Sequence, residues 1–540
     1  IMALVVGLSA SSAPVGLLAA LALALLGADA MSFSRHALRS SSGTADEPTV
    51  ATQPVDSDAQ SPGLWSLRRP KSAGQTRQVL DNLGDVQYTA NIYVGEQKLK
   101  AIVDTGSFEL LVFGQNCTMC GSPRKLYDHT KGSGYSSSGF TQQHNFGSGT
   151  TDSVEARDTV VVDGLRIKAQ KFWEVVDADM PILDEDSFQA ILGVGPPRSA
   201  LKFAKHEAQE VHKQYHDYIK TGQTVTEQVR NVVKHYDDAV VHAKNGTSVA
   251  ENLDLASVSI CLGQKSNSKG YFTWDDHAIQ TTPEKFVHVN VVGEYYWSAS
   301  IGSVEFENAS MQHTHGRPMQ ADNLIGCADA NCSAIIDTGT SLLVAPSDFV
   351  HSVYTLVDSW AQDGGTCDDL SKLPDLHFTL NGVPLSLPAE SYVGQIEGDV
   401  HDEVAKFMPM LFRQTRGLGD LKSSCQPLIM TMDAVSQFGP MWILGMPFFR
   451  KYYTSFEFRR LKGARFPDAA RMAFAVADEK CKPGMRPPNT AHAKDRAELQ
   501  TERRQAQLRV DASKLRVPRL VREAHAKAAS MNAFRPFIKI

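Results

Sequence analysis

Ala101-Ile102-Val103-Asp104-Thr105-Gly106-Ser107 and Ala334-Ile335-Ile336-Asp337-Thr338-Gly339-Thr340 stand 233 residues apart and follow one pattern. In each, an apolar, strand-like triplet runs into Asp-Thr-Gly and then a hydroxyl residue. A single copy is ordinary turn chemistry. Two copies offer a pair of carboxylates that face each other and share a proton, because like charges a few ångströms apart do not both ionise cheaply. Such a pair holds an acid and a base together at mildly acidic pH, which water-driven amide hydrolysis needs. Gly106 and Gly339 permit a tight turn and the close approach of a second chain. The hydroxyls of Thr105, Ser107, Thr338 and Thr340 are placed to bond neighbouring backbone and carboxylate, fixing the Asp rotamers. Asp104 and Asp337 are therefore the candidate catalytic residues.

Working outward, Ile191-Leu192-Gly193 follows the first Asp, and Trp442-Ile443-Leu444-Gly445 runs into Met446-Pro447-Phe448-Phe449 after the second. With both Asp-Thr-Gly motifs in this order, the chain resembles the pepsin-like (A1) aspartic peptidases, the group of pepsin, cathepsin D and the plasmepsins. The resemblance runs from about Gly84 to Asp478. It implies a mainly β, bilobal acid-protease fold, two β-rich lobes with the active-site cleft between them. It also implies an aspartic endopeptidase made as a zymogen and active in acid, with Asp104 and Asp337 binding a water. The apolar-apolar-Gly elements are expected to thread beneath the catalytic loops. No metal or organic cofactor is implied, and a monomer acting on peptides or proteins is expected. The alternative is a catalytically weak or inactive homologue that binds peptides in the same cleft; the presence of both Asp residues speaks against it.

His144 to Thr150, followed by the alternating Val154–Val162 stretch, looks like the family's flap, with Phe146, Gly147 and Ser148 over the substrate. Two departures appear. Phe146 stands where the family usually has Tyr, and Leu111 where it has Trp, so the usual hydrogen bond between them is lost. The flap is expected to pack apolarly and to favour hydrophobic side chains beside the cut. Glu109, where the family tends to have Asn, reads as a partly solvated surface or network residue.

The remaining organisation follows from composition. At 540 residues, 42% hydrophobic and 21% charged, the chain has ample core. A net charge of −6 gives no nucleic-acid signal. Residues 1–30 read as a signal peptide, with Ala28-x-Ala30 as cleavage site, or as a retained signal anchor that would tether the enzyme to a membrane. The route is the secretory pathway, ending outside the cell or in an acidic vacuole or lysosome-like compartment. Residues 31–78 read as a propeptide or linker, in which Arg68, Arg69 or Lys71 would pair with the catalytic carboxylates. The lobes are assigned to 79–255 and 256–478. The first lobe carries a helix-favouring insertion at 201–249 whose His212 and His216 are spaced to ligate a metal, although a solvated helical face is the plainer reading. The tail, 479–540, is strongly basic: from Lys480 onward it has 15 Lys/Arg against 5 Asp/Glu. It is read either as binding an acidic partner or membrane, or as a disordered or trimmed extension.

Eight cysteines in an exported chain point to disulfides. The resemblance implies Cys117–Cys120, Cys327–Cys332 and Cys367–Cys425. A Cys-x-x-Cys zinc or redox site at Cys117 lacks a second ligand pair at proper spacing. Whether Cys261 and Cys481 pair is left open. Asn245-Gly246-Thr247 and Asn308-Ala309-Ser310 match glycan acceptors.

Overall fold

The structure is a computed structural model, and it describes residues 75–539 apart from 122–125, 133, 147–148, 181–182, 184–187, 247, 307–326, 328–331, 409–423, 460–467, 489–507 and 532–537. The signal and anchor assignments, residues 31–74 of the propeptide assignment, Gly147, Ser148 and the Asn308 acceptor lie outside the described residues. Two compact units are present. One contains residues 201–245, which form most of the helices Ser199–Lys220 and Glu227–Lys244. Thr226 caps the second helix by accepting from the Val229 N–H. His212 Nε2 lies 2.8 Å from Asp237 Oδ1 and so has an acidic partner on the opposite helix. Among the described residues no helix is long and apolar enough to cross a membrane.

The second unit, residues 73–200 and 246–540, contains both Asp-Thr-Gly loops. Its first half supplies β1 (Thr76–Leu83), β2 (Gln87–Val94), β3 (Gln97–Asp104), β4 (Leu110–Thr118), β5 (Ser136–Phe146), β6 (Gly149–Val162), β7 (Leu165–Asp179) and β8 (Ala190–Gly193). Alternation builds β3. Leu99, Ala101 and Val103 point into the main core, while Ile102 packs on a second cluster around Leu111, Trp173 and Ile191. The same large sheet continues from β1 into β10 (Gly270–Trp274) and β9 (Ser257–Cys261), then into the Tyr452–Arg459 and Asp468–Ala477 strands. One continuous sheet thus draws strands from both assigned lobes, and the assigned boundary between residues 78 and 79 falls inside β1.

A separate sheet in the second half is centred on the Cys332–Ile336 strand. Its neighbours are Ser298–Phe306 on one side and Gly439–Leu444 on the other. All five residues of Cys332–Ile336 are buried, which explains the apolar triplet Ala334-Ile335-Ile336 that ends it. Disulfides join Cys117 to Cys120, Cys327 to Cys332 and Cys367 to Cys425, and a fourth joins Cys261 to Cys481 across 220 residues. The tail is built in from Leu508. Arg509–Asp511 adds as a parallel strand to Val393–Glu397, and a helix follows at Arg519–Met531.

Candidate active site

Each Asp of the two Asp-Thr-Gly motifs sits at the end of a strand held by a parallel neighbour from much later in sequence. β3 pairs with β8, bringing Asp104 opposite Gly193. Cys332–Ile336 pairs with Gly439–Leu444, bringing Ile336 opposite Leu444. The loops then lie on these neighbours. Val194 N–H donates to Asp104 O at 2.8 Å and Gly195 N–H to Ser107 O at 2.7 Å. In the second half Asp337 N–H donates to Leu444 O at 3.0 Å and Met446 N–H to Thr340 O at 2.9 Å. Glycine is required where strand meets loop. A Cβ on Gly193 would stand 2.5 Å from the Glu109 nitrogen, and one on Gly445 would stand 2.1 Å from the Leu342 oxygen.

Thr105 and Thr338 tie the two loops together. Thr105 N–H donates to Thr338 Oγ1 at 3.0 Å, and Thr338 N–H donates to Thr105 Oγ1 at 2.9 Å. Their hydroxyls donate across to the opposite strands, Thr105 to Ile336 O at 2.9 Å and Thr338 to Val103 O at 2.8 Å. Both threonines are buried. They orient the dyad by joining the halves, not by bonding their own carboxylates as expected.

The two carboxyls line one cavity, each close to the glycine of the other loop. Gly106 N–H donates to Asp104 Oδ1 and Gly339 N–H to Asp337 Oδ1, each at 2.8 Å. The glycines are also the floor of the pair. A Cβ on Gly106 would lie 2.5 Å from Asp337 Oδ1, and one on Gly339 would lie 2.4 Å from Asp104 Oδ1. Burial, with the charge of Asp104 second, pushes Asp337 far above the usual carboxylate range, although the Thr340 hydroxyl bonds its Oδ2 at 2.6 Å. The two halves differ here. Thr340 orients its Asp, whereas Ser107 Oγ is buried with no hydrogen-bond partner among the described residues, contrary to the role expected of it.

β5 and β6 form the hairpin expected to be the flap, with Phe146 opposite Gly149. Gly149 has φ +145°, and a Cβ there would overlap the Asp179 carbonyl. Polar groups fix the arm of this hairpin. His144 Nε2, on β5, stands 3.4 Å from Glu109 Oε2, and Trp173 Nε1–H donates to Glu109 Oε1 at 2.8 Å. The His144 ring lies against Trp173, centroids 4.9 Å apart. Burial works against the Glu109 charge, but the His144 bond and charge, then Lys171 and Trp173, outweigh it and hold the carboxyl down at about 2. Leu111 is buried in the same cluster as Trp173.

Sequence reasoning missed Tyr296 and the far tail. Tyr296, Asp104 and Asp337 line one cavity together with Arg516, Val517, Pro518, Arg519 and Leu520. The Arg519 guanidinium donates to the Tyr296 hydroxyl. The signals present were the Tyr295-Tyr296-Trp297 run and the apolar residues spaced through the basic tail.

The eukaryotic aspartyl protease family model matches residues 87–463. The chain is 26% identical to cathepsin D of Gallus gallus over 455 residues, 82% of this chain and 97% of that protein. It is 24% identical to cathepsin E of Aquarana catesbeiana, over 73% of this chain and 81% of that one. It is 25% identical to pepsin A of Bos taurus, over 71% of this chain and 84% of that one. With two Asp-Thr-Gly loops on a mainly β fold and a family match over most of its length, the chain belongs to the eukaryotic aspartyl proteases, the pepsin-like aspartic endopeptidases.

Proposed function

We propose that Asp104 and Asp337 hydrolyse peptide bonds by activating one water held between them. The ionised member of the pair takes a proton from the water as its oxygen attacks the scissile carbonyl carbon. The protonated member gives its proton to the carbonyl oxygen, leaving a neutral gem-diol. The pair then passes a proton to the amide nitrogen and takes one from a gem-diol hydroxyl, so that the C–N bond breaks and the pair returns to one proton. The roles belong to the dyad jointly. The observation that carries this reading is the pair of Asp carboxyls that line one cavity on loops locked together by Thr105 and Thr338.

Activity is proposed to be greatest in acid, with substrate lying as an extended peptide under the Phe146–Ser148 flap and hydrophobic residues beside the cut. Export through the secretory pathway, synthesis as a zymogen, removal of residues 31–78 and a monomeric state are part of the same proposal. The test is cleavage of an unfolded protein between pH 3 and 7, with Asp104→Asn alongside. Acid-favoured cleavage that vanishes in the variant is the expected result. A folded chain with an open cleft that cleaves at no pH would overturn it in favour of a peptide-binding homologue.

A further inference from the structure

The cleft already contains a peptide, and it is the chain's own. From Leu508 to Met531 the tail passes from one wall of the site to the other. Asp511 N–H donates to Gly84 O at 3.0 Å, at the start of the first lobe. Arg522 pairs with Glu403 at 2.7 Å, in the second lobe, and the His525 ring packs on Phe407. Between these anchors Arg516–Leu520 lies over the dyad, and the cavity left there is about 110 Å³. Ligand pockets usually measure about 300–1,000 Å³, so no extended peptide fits alongside.

The segment is packed as a core element. Leu508, Val510, Ala512, Leu515, Val517, Leu520, Val521 and Ala524 are all buried, though they are spaced among basic residues. Arg519 supplies the charge. Its guanidinium donates to Tyr296 and stands 3.6 Å from Glu523. Burial opposes its charge, but Tyr296, Glu523 and Asp104 outweigh that and raise its pKa, which places the cation within the field of the dyad. The backbone turns helical at Arg519, with Arg522 N–H donating to Pro518 O. From Arg519 onward the amides are tied into a helix and are not presented as the extended strand that attack on a carbonyl requires, whereas residues 515–518 before it are not helical.

We propose that Leu508–Met531 is a built-in inhibitor of the cleft, with Arg519 as its charged anchor, and that activity requires its displacement or removal; this rests on the endopeptidase reading above. A tail in this place also competes with any pairing of Arg68, Arg69 or Lys71 with the same carboxylates.

The experiment uses the full chain, an Arg519→Glu variant, and a full chain carrying a specific protease site between residues 490 and 506 that is cut after folding. A tethered segment acts at an effective concentration on the order of 1 mM. An inhibitory segment with a free-peptide Kd on the order of 10 µM then gives a rise in kcat/KM of about a hundredfold on release. The expected result is that rise in the Arg519→Glu and cut chains. Synthetic Leu508–Met531 should reverse it competitively with substrate, and the same peptide with Arg519→Glu should not. Equal activity in all three chains, with no effect of the peptide, would overturn the proposal. Binding of the fluorescent peptide to the Arg519→Glu chain, read by anisotropy, separates the two readings. Binding without cleavage in any chain refutes the endopeptidase reading and keeps the docked tail; absence of binding refutes the docked tail.

Discussion

The two Asp-Thr-Gly loops repeat each other through the glycine and then diverge. Each has a strand ending in Asp, a parallel apolar-apolar-Gly neighbour, and a threonine that reaches into the other half. At the next residues the first loop has Ser107 and Glu109, and the second has Thr340 and Leu342. Thr340 bonds its Asp while Ser107 bonds nothing described, and Glu109 engages His144 on β5 while Leu342 is core. What repeats is the scaffold that brings two carboxyls together. What differs decides how the two carboxyls are set apart and which half anchors the β5–β6 hairpin.

The largest expected effect comes from breaking the pair itself. Asp104→Asn or Asp337→Asn should each lower kcat by about 10³-fold or more, because neither half alone holds both an acid and a base. Stability should show what activity cannot. The raised pKa of Asp337 means that the folded state binds a proton the unfolded state has released. Its contribution is present below about pH 4 and is lost as pH rises toward the raised value. Asp337→Asn removes that dependence, so its advantage in Tm over the parent should grow from pH 4 toward pH 7, as read by thermal melts at each pH. A variant whose melts run parallel to the parent's would show that the dyad is not strained as described.

Next in size is the link between halves. Thr105→Val and Thr338→Val each remove a hydroxyl that accepts one buried N–H and donates to one buried carbonyl. An orphaned buried polar group costs about 1–3 kcal/mol. Each variant should therefore lose about 2–4 kcal/mol in denaturant unfolding. The double variant should lose less than the sum, since the network is shared. Strict additivity would mean that the two threonines act separately.

Glu109→Gln tests the divergent side. It keeps the shape but loses the charge facing His144 and the strong acceptor for Trp173. Hydrogen bonds to charged groups contribute about 1.5–3 kcal/mol. Because the pKa of Glu109 is held at about 2, its contribution is complete above about pH 4 and disappears as pH falls through about 2. The deficit of the variant should thus persist across the acid range in which the enzyme is proposed to work, and KM should rise more than kcat falls. A deficit that vanished by pH 4 would deny the pair this role.

The fold was legible because its deciding contacts repeat a local pattern. Apolar triplets ending in Asp-Thr-Gly and in Ile-Leu-Gly mark four buried strand ends, and each pairs as the resemblance implied. Partner choice over long separations was not legible. Thr105 and Thr338 read locally as groups for their own carboxylates, because nothing in a heptapeptide reports that its mirror image will be the partner. The tail misled for another reason. Its charge dominates its composition, whereas the spacing of Leu508, Val510, Leu515, Val517 and Leu520 is what buries it. Glu109 looked like a surface acid because the indole that bonds it, Trp173, lies 64 residues away.

The smallest effect is the sharpest test of asymmetry. Thr340→Val removes a donor to Asp337 while keeping side-chain volume, so the anionic form of that carboxyl loses a partner and its pKa should rise further. Ser107→Ala removes a hydroxyl that bonds no described residue, so stability should change by no more than about 0.5 kcal/mol. The pH profile of kcat should follow the same division. Its alkaline limb reports loss of the shared proton, so Thr340→Val should move that limb upward and Ser107→Ala should leave it in place. Equal shifts in both variants would mean that Ser107 bonds Asp104 once substrate enters. The two loops would then be equivalent in the working enzyme, and the difference between them would be a property of the cleft while its own tail fills it.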